Sequence, residues 1–367
     1  MQYLINFGRR SEMAIHIKIH NRECLEENSG FSKTSDEDFS VGSLFAGVGG
    51  ICLGFKNAGY KISWANEMDP NACRTYLANF KHVLYEGKIE QLDYSALKKV
   101  DVITSGFPCQ AFSIAGYRKG FNDHRGHLFE ETMEVIKEVE PKAFLLENVK
   151  NLVSHDKGRT FKIMKEMVKD YGYSFIPKVL NSMEYGNIPQ NRERIYIVGF
   201  KDEADFDPDN PSADYVCSHA FSFPNPVKLG KKVSDLVAAS APEEFYYSNF
   251  MHYKKLLKYD WDKNTVGQWR RVYVRQNKSN VCPTLTANMG TGGHNVPLIK
   301  DKKDFRKLTP RECFYFQGFD KNFVLPKDMA NSHLYKQAGN SVTVTVVERI
   351  AVNIKKALLE KYSMVNA

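Results

Sequence analysis

The stretch VGSLFAGVGGICLGF, residues 41–55, decides the fold class of this chain. Its apolar beginning, 41–47, has the length of a β-strand and ends in a glycine, and Gly49 and Gly50 follow shortly after. Glycine permits a tight turn and lets a ligand approach the backbone closely. A strand that ends in such a turn is typical of the first unit of an α/β fold that binds its ligand at the turn.

The same texture recurs further along the chain, in the apolar runs 59–67, 101–107, 143–149 and 194–200. Stretches of helical texture lie between some of these runs, namely 71–80 and 128–139. Short strands that alternate with helices indicate a parallel sheet covered on both faces. We therefore predict an α/β, doubly wound, Rossmann-like domain whose functional residues lie at the carboxyl ends of its strands.

The chain changes character after residue 200. Asp, Asn and Pro cluster in 202–215, which predicts a loop, and the residues up to 305 form short aromatic and basic segments without a βαβ period. We predict a smaller, irregular β-rich domain over 201–305 and a connecting segment over 306–336.

The two ends of the chain differ. From Val346 the apolar positions repeat at helical spacing, which predicts a C-terminal helix with room for a short strand before it. The segment 337–367 is expected to return to the first domain, 41–200. Residues 1–40 are polar and lack hydrophobic periodicity, so we predict a mobile N-terminal extension.

Bulk composition narrows the function classes. The 367 residues include 51 Lys and Arg against 43 Asp and Glu, and this net charge of +8 favours a polyanionic partner. No apolar run approaches the roughly 20 residues of a membrane helix, and the charged N-terminus predicts no secretory signal. The absence of any CxxC pair argues against structural zinc and disulfides and for a reducing cytoplasm; the seven cysteines are Cys24, Cys52, Cys73, Cys109, Cys217, Cys282 and Cys313.

Glu67 is a candidate ligand for a nucleoside. It ends the second apolar run, about 20 residues after the glycines, where an acidic residue of a doubly wound sheet hydrogen-bonds ribose hydroxyls. A solvated glutamate at a strand end is the alternative interpretation. The glycines do not form GxGxxG, which favours a nucleoside such as S-adenosylmethionine over a dinucleotide.

Cys109 is the candidate nucleophile. It lies in SGFPCQAFSIAG, 105–116, directly after a proline and just beyond an apolar run. The thiolate is the strongest nucleophile among ordinary side chains, and the surrounding Pro and Gly argue against an inert thiol in a core strand. The glycine-rich, basic stretch 115–127 that follows suits a loop that closes over a phosphate backbone.

Three further side chains complete a candidate catalytic set. Glu147 ends the run AFLL, and a carboxyl at the edge of a dry pocket can have a raised pKa and act as a general acid. Arg192 and Arg194 alternate just before another strand, so they share a face. One is a candidate for a substrate oxygen and the other for a phosphate or a salt bridge, with ordinary surface charge as the alternative.

Six motifs in this order resemble the bacterial cytosine-C5 DNA methyltransferase family. They are FAGVGG, GFPCQAFSIAG, ENVKNL, QNRERIYIVGF, RKLTPRECFYFQGF and QAGNSV. The resemblance covers roughly residues 41–200 and 305–360, and 201–305 corresponds to the target-recognition domain of the family. Within that domain, VCPTLTANMGTGG, 281–293, resembles the family's base-reading loops.

The resemblance implies a reaction. Cys109 attacks carbon 6 of a cytosine that has been flipped out of duplex DNA, Glu147 donates a proton or hydrogen bond to ring nitrogen 3, and Arg194 holds the 2-keto oxygen. Arg192 is placed with this catalytic set. Carbon 5 then takes the methyl group from S-adenosylmethionine, and no metal is involved.

The resemblance also implies two sets of binding residues. The expected cofactor contacts are Phe45, Gly47, Val48, Gly50, Asn66, Glu67, Met68, Ile89, Gly106, Pro108, Asn340, Ser341 and Val342. The expected DNA contacts are Gln110, Ser113, Arg125, Arg275, Lys278, Thr284, Leu285 and Gly292.

Two positions depart from the family pattern. Lys88 occupies the place of an aspartate that binds the adenine amino group in many members, so Glu86, Glu90 or a backbone group must replace it. Ala115 replaces a serine that in some relatives helps to fill the vacated base stack.

Three other functions fit parts of the pattern. An RNA cytosine-C5 methyltransferase would keep the chemistry, but the insert 201–305 favours duplex DNA. A catalytically silent DNA-binding module predicts loss of Cys109 or Glu147, and both are present. A thiol redox enzyme predicts CxxC, which is absent. We expect a monomeric, cytoplasmic enzyme. The commonest biological role that the resemblance implies is in a restriction-modification system, in which a restriction endonuclease accompanies the methyltransferase without direct contact.

Overall fold

The computed structural model describes residues 17–21, 39–108, 127–201, 220–248, 253–270, 273–277, 280–290 and 296–365. An eight-stranded sheet forms the centre, with the strand order β1-β4-β3-β2-β5-β6-β9-β7. Its strands are β1 Lys18–His20, β2 Ser40–Leu44, β3 Lys61–Glu67, β4 Val83–Glu86, β5 Val102–Ser105, β6 Ala143–Val149, β7 Ile176–Asn181 and β9 Glu193–Phe200. A two-residue strand, β8 Gln190–Asn191, lies outside this sheet.

Helices cover both faces of the sheet. The α-helices of the described ranges are α1 Gly50–Asn57, α2 Pro70–Leu77, α3 His127–Val139, α4 Arg159–Asp170, α5 Ser182–Tyr185, α6 Tyr253–Leu256, α7 Pro310–Tyr315, α8 Asn331–Asn340 and α9 Val344–Val365. Of these, α6 packs in a third apolar cluster, away from the large sheet. Strand side chains alternate between two apolar clusters: Leu145 packs in the cluster that contains Val347 of α9, and Phe144 in the one that contains Phe129 of α3. This arrangement confirms the predicted doubly wound α/β class.

The sheet is mixed, and the prediction of an all-parallel sheet is wrong for the run 194–200. Strands β4, β3, β2, β5 and β6 are neighbours in this order, and each pair of them is parallel. Strand β9 runs antiparallel to β6 over its whole length, from Ala143 opposite Phe200 to Val149 opposite Arg194. The reversal arises because β7 and β9 form an antiparallel pair at the sheet edge. Its consequence is that the start of β9 lies where the parallel strands end.

Part of the predicted N-terminal extension belongs to the sheet. Residues 18–20 pair antiparallel with β4, and His20 Nε2 lies 2.6 Å from the Glu86 carboxylate. The other residues of the extension, apart from 17, 21, 39 and 40, lie outside the described ranges. The described piece is thus attached to the sheet and is not a free arm.

The C-terminal helix α9 packs on α1. The Tyr60 hydroxyl donates a hydrogen bond of 3.1 Å to the Ala351 carbonyl, and a Cβ atom at Gly54 would lie 2.7 Å from Val347. The helix begins two residues before Val346, and residues 342–343 do not form the short strand that the sequence left room for. Across the described ranges, every helix is too short or too polar to cross a membrane.

A separate antiparallel sheet contains β10 Gly267–Arg270, β11 Tyr273–Gln276, β13 Leu298–Lys300 and β14 Phe305–Lys307, in the order β11-β10-β13-β14. The prediction of a second, β-rich part is therefore confirmed. Strand β12, Cys282–Pro283, leaves this sheet and pairs parallel with β8. The second part is thus joined to the first at β8.

A buried ionic cluster anchors the small sheet to α7. The Arg306 guanidinium is completely buried and donates two hydrogen bonds of 2.8 Å to Glu312 and one of 2.7 Å to Asp301. Glu312 also accepts from the Thr309 amide at 2.7 Å, which closes the capping box of α7. Every charge in the cluster has a partner, so removing one side chain leaves others unpaired.

We predict that Arg306→Met lowers the free energy of unfolding by about 3–5 kcal/mol, because two buried carboxylates lose their counter-ion. Urea denaturation measures the loss. The matched control is Lys303→Met, which breaks the solvent-exposed ion pair with Glu243 and should change stability little. Equal losses in the two variants would contradict the role given to the cluster.

Candidate active site

A cleft of about 760 Å³ lies at the edge where the parallel strands end. The glycine turn after β2 and the ends of β3, β5 and β6 form its floor, and the start of β9 and residues from α8 to 342 form its walls. Doubly wound sheets bind ligands at this edge. Because β9 is reversed, its first residues join the same cleft.

Glu67 holds the turns around the cleft. One carboxylate oxygen accepts a hydrogen bond of 2.7 Å from the Gly47 amide, and the other accepts from the amides of Met68 and Asp69 at 2.8 and 2.7 Å. Burial raises the pKa of Glu67, and the three backbone donors oppose this shift. The side chain lines the cleft, so it both holds the surrounding backbone and faces the space of the pocket.

The glycine turn is open on one side and closed on the other. Gly47 has φ +57°, and a Cβ atom there would meet no atom within 4 Å, so the backbone faces free space. A Cβ atom at Gly50 would lie 2.5 Å from the Ser341 hydroxyl and 3.0 Å from Val342. Glycine at 50 therefore lets the segment after α8 close the pocket.

A second wall forms where α8 meets the start of α2. Lys336 Nζ lies 2.7 Å from the carboxylate of Asp69, the N-cap residue of α2. Burial alone would raise the pKa of Asp69, but the hydrogen bonds from Lys336 and the Asn71 amide lower it below the ordinary value. The sequence analysis missed this wall, because its two members are far apart in the chain.

Glu147 and Arg194 form an ion pair in the cleft. Arg194 Nε lies 3.2 Å from Glu147 Oε1, with side chains only 14% and 11% exposed. Burial raises the pKa of Glu147, whereas the charges of Arg194 and Arg192 act against the shift. The other oxygen, Oε2, is 3.7 Å from where a Cβ atom of Gly106 would be, so the carboxyl borders the backbone that leads to residue 109.

Asn148 fixes that backbone. Its side-chain amide donates a hydrogen bond of 2.8 Å to the Phe107 carbonyl, and its oxygen accepts one of 2.8 Å from the Val149 amide. The side chain is buried. The sequence analysis did not name Asn148, although its place directly after Glu147 in ENVKNL was a usable signal.

Arg192 does not lie as the sequence analysis expected. Its guanidinium is 2% exposed and donates hydrogen bonds to three backbone carbonyls, those of Leu285, Gly339 and Ser341. Burial lowers the pKa of Arg192, and the neighbouring charge of Arg194 adds to this shift. The side chain borders the cleft, but both of its terminal nitrogens bind the protein, so these contacts favour a role in the wall, and its place in the catalytic set stays a prediction.

Most of the expected cofactor contacts line the cleft, namely Phe45, Gly47, Val48, Gly50, Glu67, Met68, Gly106, Pro108, Asn340, Ser341 and Val342. Two do not. The side-chain amide of Asn66 donates hydrogen bonds of 2.9 Å to the backbone carbonyls of Tyr85 and Gly87 and so holds the end of β4. Ile89 is buried in the apolar cluster on one face of the sheet. Strand alternation and core packing turn these two side chains away.

The departure at Lys88 leaves fewer candidates for the adenine contact. Glu86 is engaged by the N-terminal strand, since His20 lies 2.6 Å and Lys18 3.5 Å from its carboxylate. The Lys88 amide donates to the side chain of Gln91. Neither Lys88 nor Glu90 lines the cleft.

The expected DNA contacts divide into three groups. Arg275 is exposed on β11, and Thr284 is close to the start of β9, its hydroxyl donating to the Asn191 carbonyl at 2.7 Å. Leu285 is 1% exposed and packs in the core, so the predicted DNA contact there would have to come from its backbone. The third group lies outside the described residues and contains Gln110, Ser113, Arg125, Lys278 and Gly292. The predicted nucleophile Cys109 and the departure Ala115 also lie outside them.

The described cysteines are poor nucleophiles. Cys52, Cys73, Cys282 and Cys313 are buried and free. Burial raises the pKa of each thiol above the ordinary value. Among the described residues, no three His, Cys, Asp or Glu side chains converge as metal ligands.

Comparison with known proteins agrees with this geometry. The family profile of C-5 cytosine-specific DNA methylases matches residues 39–356. The Type II methyltransferase M.Bsp6I of Bacillus sp. (strain RFL6) is 51% identical over 325 residues, which cover 87% of this chain and 99% of that protein. The Type II methyltransferase M.HhaI of Haemophilus parahaemolyticus is 35% identical over 330 residues, which cover 86% of this chain and 94% of that protein.

Solved structures share the fold. A mutant of Spodoptera frugiperda DNMT2 aligns with a TM-score of 0.65 at 19% identity and covers 86% of this chain and 99% of its own. A putative DNA modification methyltransferase encoded within an E. coli prophage aligns with a TM-score of 0.58 at 21% identity, over 90% of this chain and all of its own. These identities are low and bear on the fold alone, whereas the family profile and the relatives above 30% identity show that the chain belongs to the C-5 cytosine-specific DNA methylase family.

Proposed function

We propose that this protein transfers a methyl group from S-adenosylmethionine to carbon 5 of one cytosine in a specific duplex DNA sequence, as the modification enzyme of a restriction system. The observation that carries the proposal is the buried Glu147–Arg194 pair beside the backbone that leads to Cys109. The pair holds a carboxyl and a guanidinium next to each other in the cleft, which supports roles for both at one planar substrate. We further infer a monomeric, cytoplasmic enzyme.

The cleft suits S-adenosylmethionine. The open space at Gly47 admits a ligand against the backbone, the Glu67 carboxylate accepts ribose hydroxyls, and Ser341 borders the far end of the pocket. A cleft volume of about 760 Å³ leaves room for the cofactor and a flipped base together. When bound, the cofactor supplies an electrophilic methyl group on a sulfonium.

The family resemblance implies the protein side of the reaction, and the Glu147–Arg194 pair supports it. The thiolate of Cys109 forms a bond to carbon 6 of cytosine, while Glu147 donates a proton or hydrogen bond at nitrogen 3 and Arg194 holds the 2-keto oxygen. The electron pair of the 5,6 double bond becomes available at carbon 5, which accepts the methyl group. A base or water then takes the proton from carbon 5, and the bond between Cys109 and carbon 6 breaks.

The ion pair is matched to this chemistry. An exposed glutamate is ionised at neutral pH and holds no proton to give. Burial raises the pKa of Glu147, so a larger fraction carries a proton when nitrogen 3 becomes basic. The charge of Arg194 acts against this shift, and its guanidinium is the proposed donor to the 2-keto oxygen.

Duplex DNA must approach the cleft from the side of the small sheet. The target cytosine has to leave the base stack, because within a duplex the thiolate and the sulfonium cannot reach opposite faces of its ring. Exposed Arg275 on β11 is a candidate phosphate contact, and the Thr284 hydroxyl donates a hydrogen bond of 2.7 Å to the carbonyl of Asn191, the residue before Arg192 of the cleft.

Incubation with tritiated S-adenosylmethionine and either DNA of varied sequence or RNA tests the proposal. We expect label on carbon 5 of a cytosine in one sequence context. The Cys109→Ser variant should incorporate none, because a hydroxyl is far less readily ionised than a thiol, yet it should still bind the same duplex. Labelled adenine, labelled RNA only, or full activity of the Cys109→Ser variant would contradict the proposal.

We predict that Glu147→Gln lowers kcat by about 10²–10⁴-fold, because glutamine cannot transfer a proton. In the wild type, kcat should fall as the pH rises through the raised pKa of Glu147, and the variant should lose this dependence. The matched control is Glu193→Gln, which removes an exposed carboxylate paired with Lys150 and should leave kcat and its pH profile unchanged. An unchanged pH profile in Glu147→Gln would exclude Glu147 as the acid.

A further inference from the structure

One guanidinium connects two parts of the molecule that bind different ligands in the proposed function. Arg192 donates through Nη1 to the Leu285 carbonyl at 2.8 Å, and through Nη2 to the carbonyls of Gly339 and Ser341 at 3.1 and 2.5 Å. We propose that Arg192 is a positioning residue that couples occupancy of the cofactor pocket to DNA binding. This inference rests on the proposed function and deepens it.

The DNA side consists of residues 282–290, here called the recognition segment. It is fastened to β8, since Cys282 and Pro283 pair with Gln190 and Asn191, and the Leu285 amide donates to the Gln190 side chain at 3.1 Å. The Leu285 side chain is buried, which anchors the middle of the segment. The Leu285 carbonyl, to which Arg192 donates, therefore belongs to the backbone that positions Thr284.

The cofactor side consists of residues 339–342, here called the closing segment. Asn340, Ser341 and Val342 line the cleft. Ser341 and Val342 abut Gly50 of the glycine turn so closely that a Cβ atom there would lie within 2.5 and 3.0 Å of them. A ligand in the cleft therefore touches the segment whose carbonyls bind the Nη2 atom of Arg192.

Burial makes the bridge sensitive to geometry. The guanidinium is 2% exposed, so water does not replace a lost protein partner readily. Its Nη atoms bind neutral carbonyls, and within the described part of the chain its Nε atom is buried without a hydrogen-bond partner. The guanidinium is planar and its N–H donors point in fixed directions. If one of the bound carbonyls moves, the guanidinium therefore turns with it and favours a matching movement of the other carbonyls.

Contacts other than those of Arg192 also join the two segments. The backbones of Gly339 and Thr286 are in direct contact, since a Cβ atom at Gly339 would lie 2.2 Å from the Thr286 carbonyl carbon. Gln190 ties the recognition segment to the Phe316 carbonyl. These contacts hold the two segments together, whereas Arg192 makes the direct polar connection between the Leu285 and Ser341 carbonyls. A substitution at 192 is thus expected to leave the fold in place.

Coupling of this kind is reciprocal. If a ligand in the cleft favours one position of the closing segment, Arg192 favours the matching position of the recognition segment, and DNA binds more tightly. By thermodynamic linkage, DNA must raise the affinity for the cofactor by the same factor. Loss of a residue that only stabilised the fold would weaken the binding of each ligand but would not change the factor by which one ligand alters the Kd of the other.

The test uses the full chain, S-adenosylhomocysteine and the duplex whose methylated cytosine has been mapped. Fluorescence anisotropy gives the Kd for DNA with and without S-adenosylhomocysteine, and calorimetry gives the Kd for S-adenosylhomocysteine with and without DNA. For the wild type we expect each ligand to lower the Kd of the other by about 5- to 150-fold. For Arg192→Met and Arg192→Lys we expect this factor to fall to about 2-fold or less, since neither side chain offers a planar fork.

Arg192→Lys keeps the positive charge but loses the planar guanidinium, so it distinguishes an effect of hydrogen-bond geometry from an effect of charge. It also provides the test if Arg192→Met does not fold. The matched control is Arg349→Met, which also loses two hydrogen bonds to backbone carbonyls, those of Tyr185 and Asn225, away from the cleft. Arg349→Met should keep the wild-type factor.

The proposal is overturned by an unchanged coupling factor in both Arg192 variants, by an equal loss in Arg349→Met, or by the absence of coupling in a wild type that methylates DNA. A wild type that transfers no methyl group to DNA defeats the proposed function instead, so the two failures are distinguishable.

Discussion

Strand β9 runs antiparallel to β6, and the candidate site depends on this pairing. The parallel strands bring their carboxyl ends, with Glu67, Gly106 and Glu147, to one edge of the sheet. A parallel β9 would present its other end there. Because β9 is reversed, Arg194 stands opposite Val149 and within 3.2 Å of Glu147, and Arg192 precedes it at the cleft wall.

The two arginines then take different roles through their surroundings. Arg194 meets a carboxylate at the cleft margin, and such a buried pair is weak evidence for stability, so function is the better reason for its presence. Arg192 meets carbonyls of the recognition and closing segments, both of which lie far from it in the sequence. In the sequence, Arg192 and Arg194 alternate and so were expected to have similar surroundings. Their contacts with residues far away in the sequence give them different partners.

Sequence reasoning reached the parts of the site that depend on local chemistry. Glu67 and Glu147 could be found because each ends an apolar run, and parallel strands place such residues at one edge. The glycine turn could be found because Glu67 ends the next apolar run about 20 residues later, since glycines after a strand are by themselves a weak signal. The family resemblance supplied the roles of Cys109 and Arg194.

What sequence reasoning missed depends on the third dimension. Strand direction cannot be read from apolar runs, so the reversal of β9 was not foreseen. The Asn66 amide holds β4, and the Leu285 side chain enters the core, because neighbours remote in sequence occupy the directions these residues face. The Lys336–Asp69 wall joins residues that only the return of the chain to the first domain brings together.

The central claim is that Cys109 forms a covalent bond to the target cytosine in a site organised by Glu147 and Arg194. The most direct measurement uses a duplex with 5-fluorocytosine at the mapped position, incubated with S-adenosylmethionine, followed by proteolysis and mass spectrometry. Fluorine cannot leave carbon 5 as a proton does, so the account predicts a stable adduct of DNA with the peptide that contains Cys109, carrying the transferred methyl group. No adduct, or an adduct on another residue, while the unsubstituted duplex is methylated would contradict it.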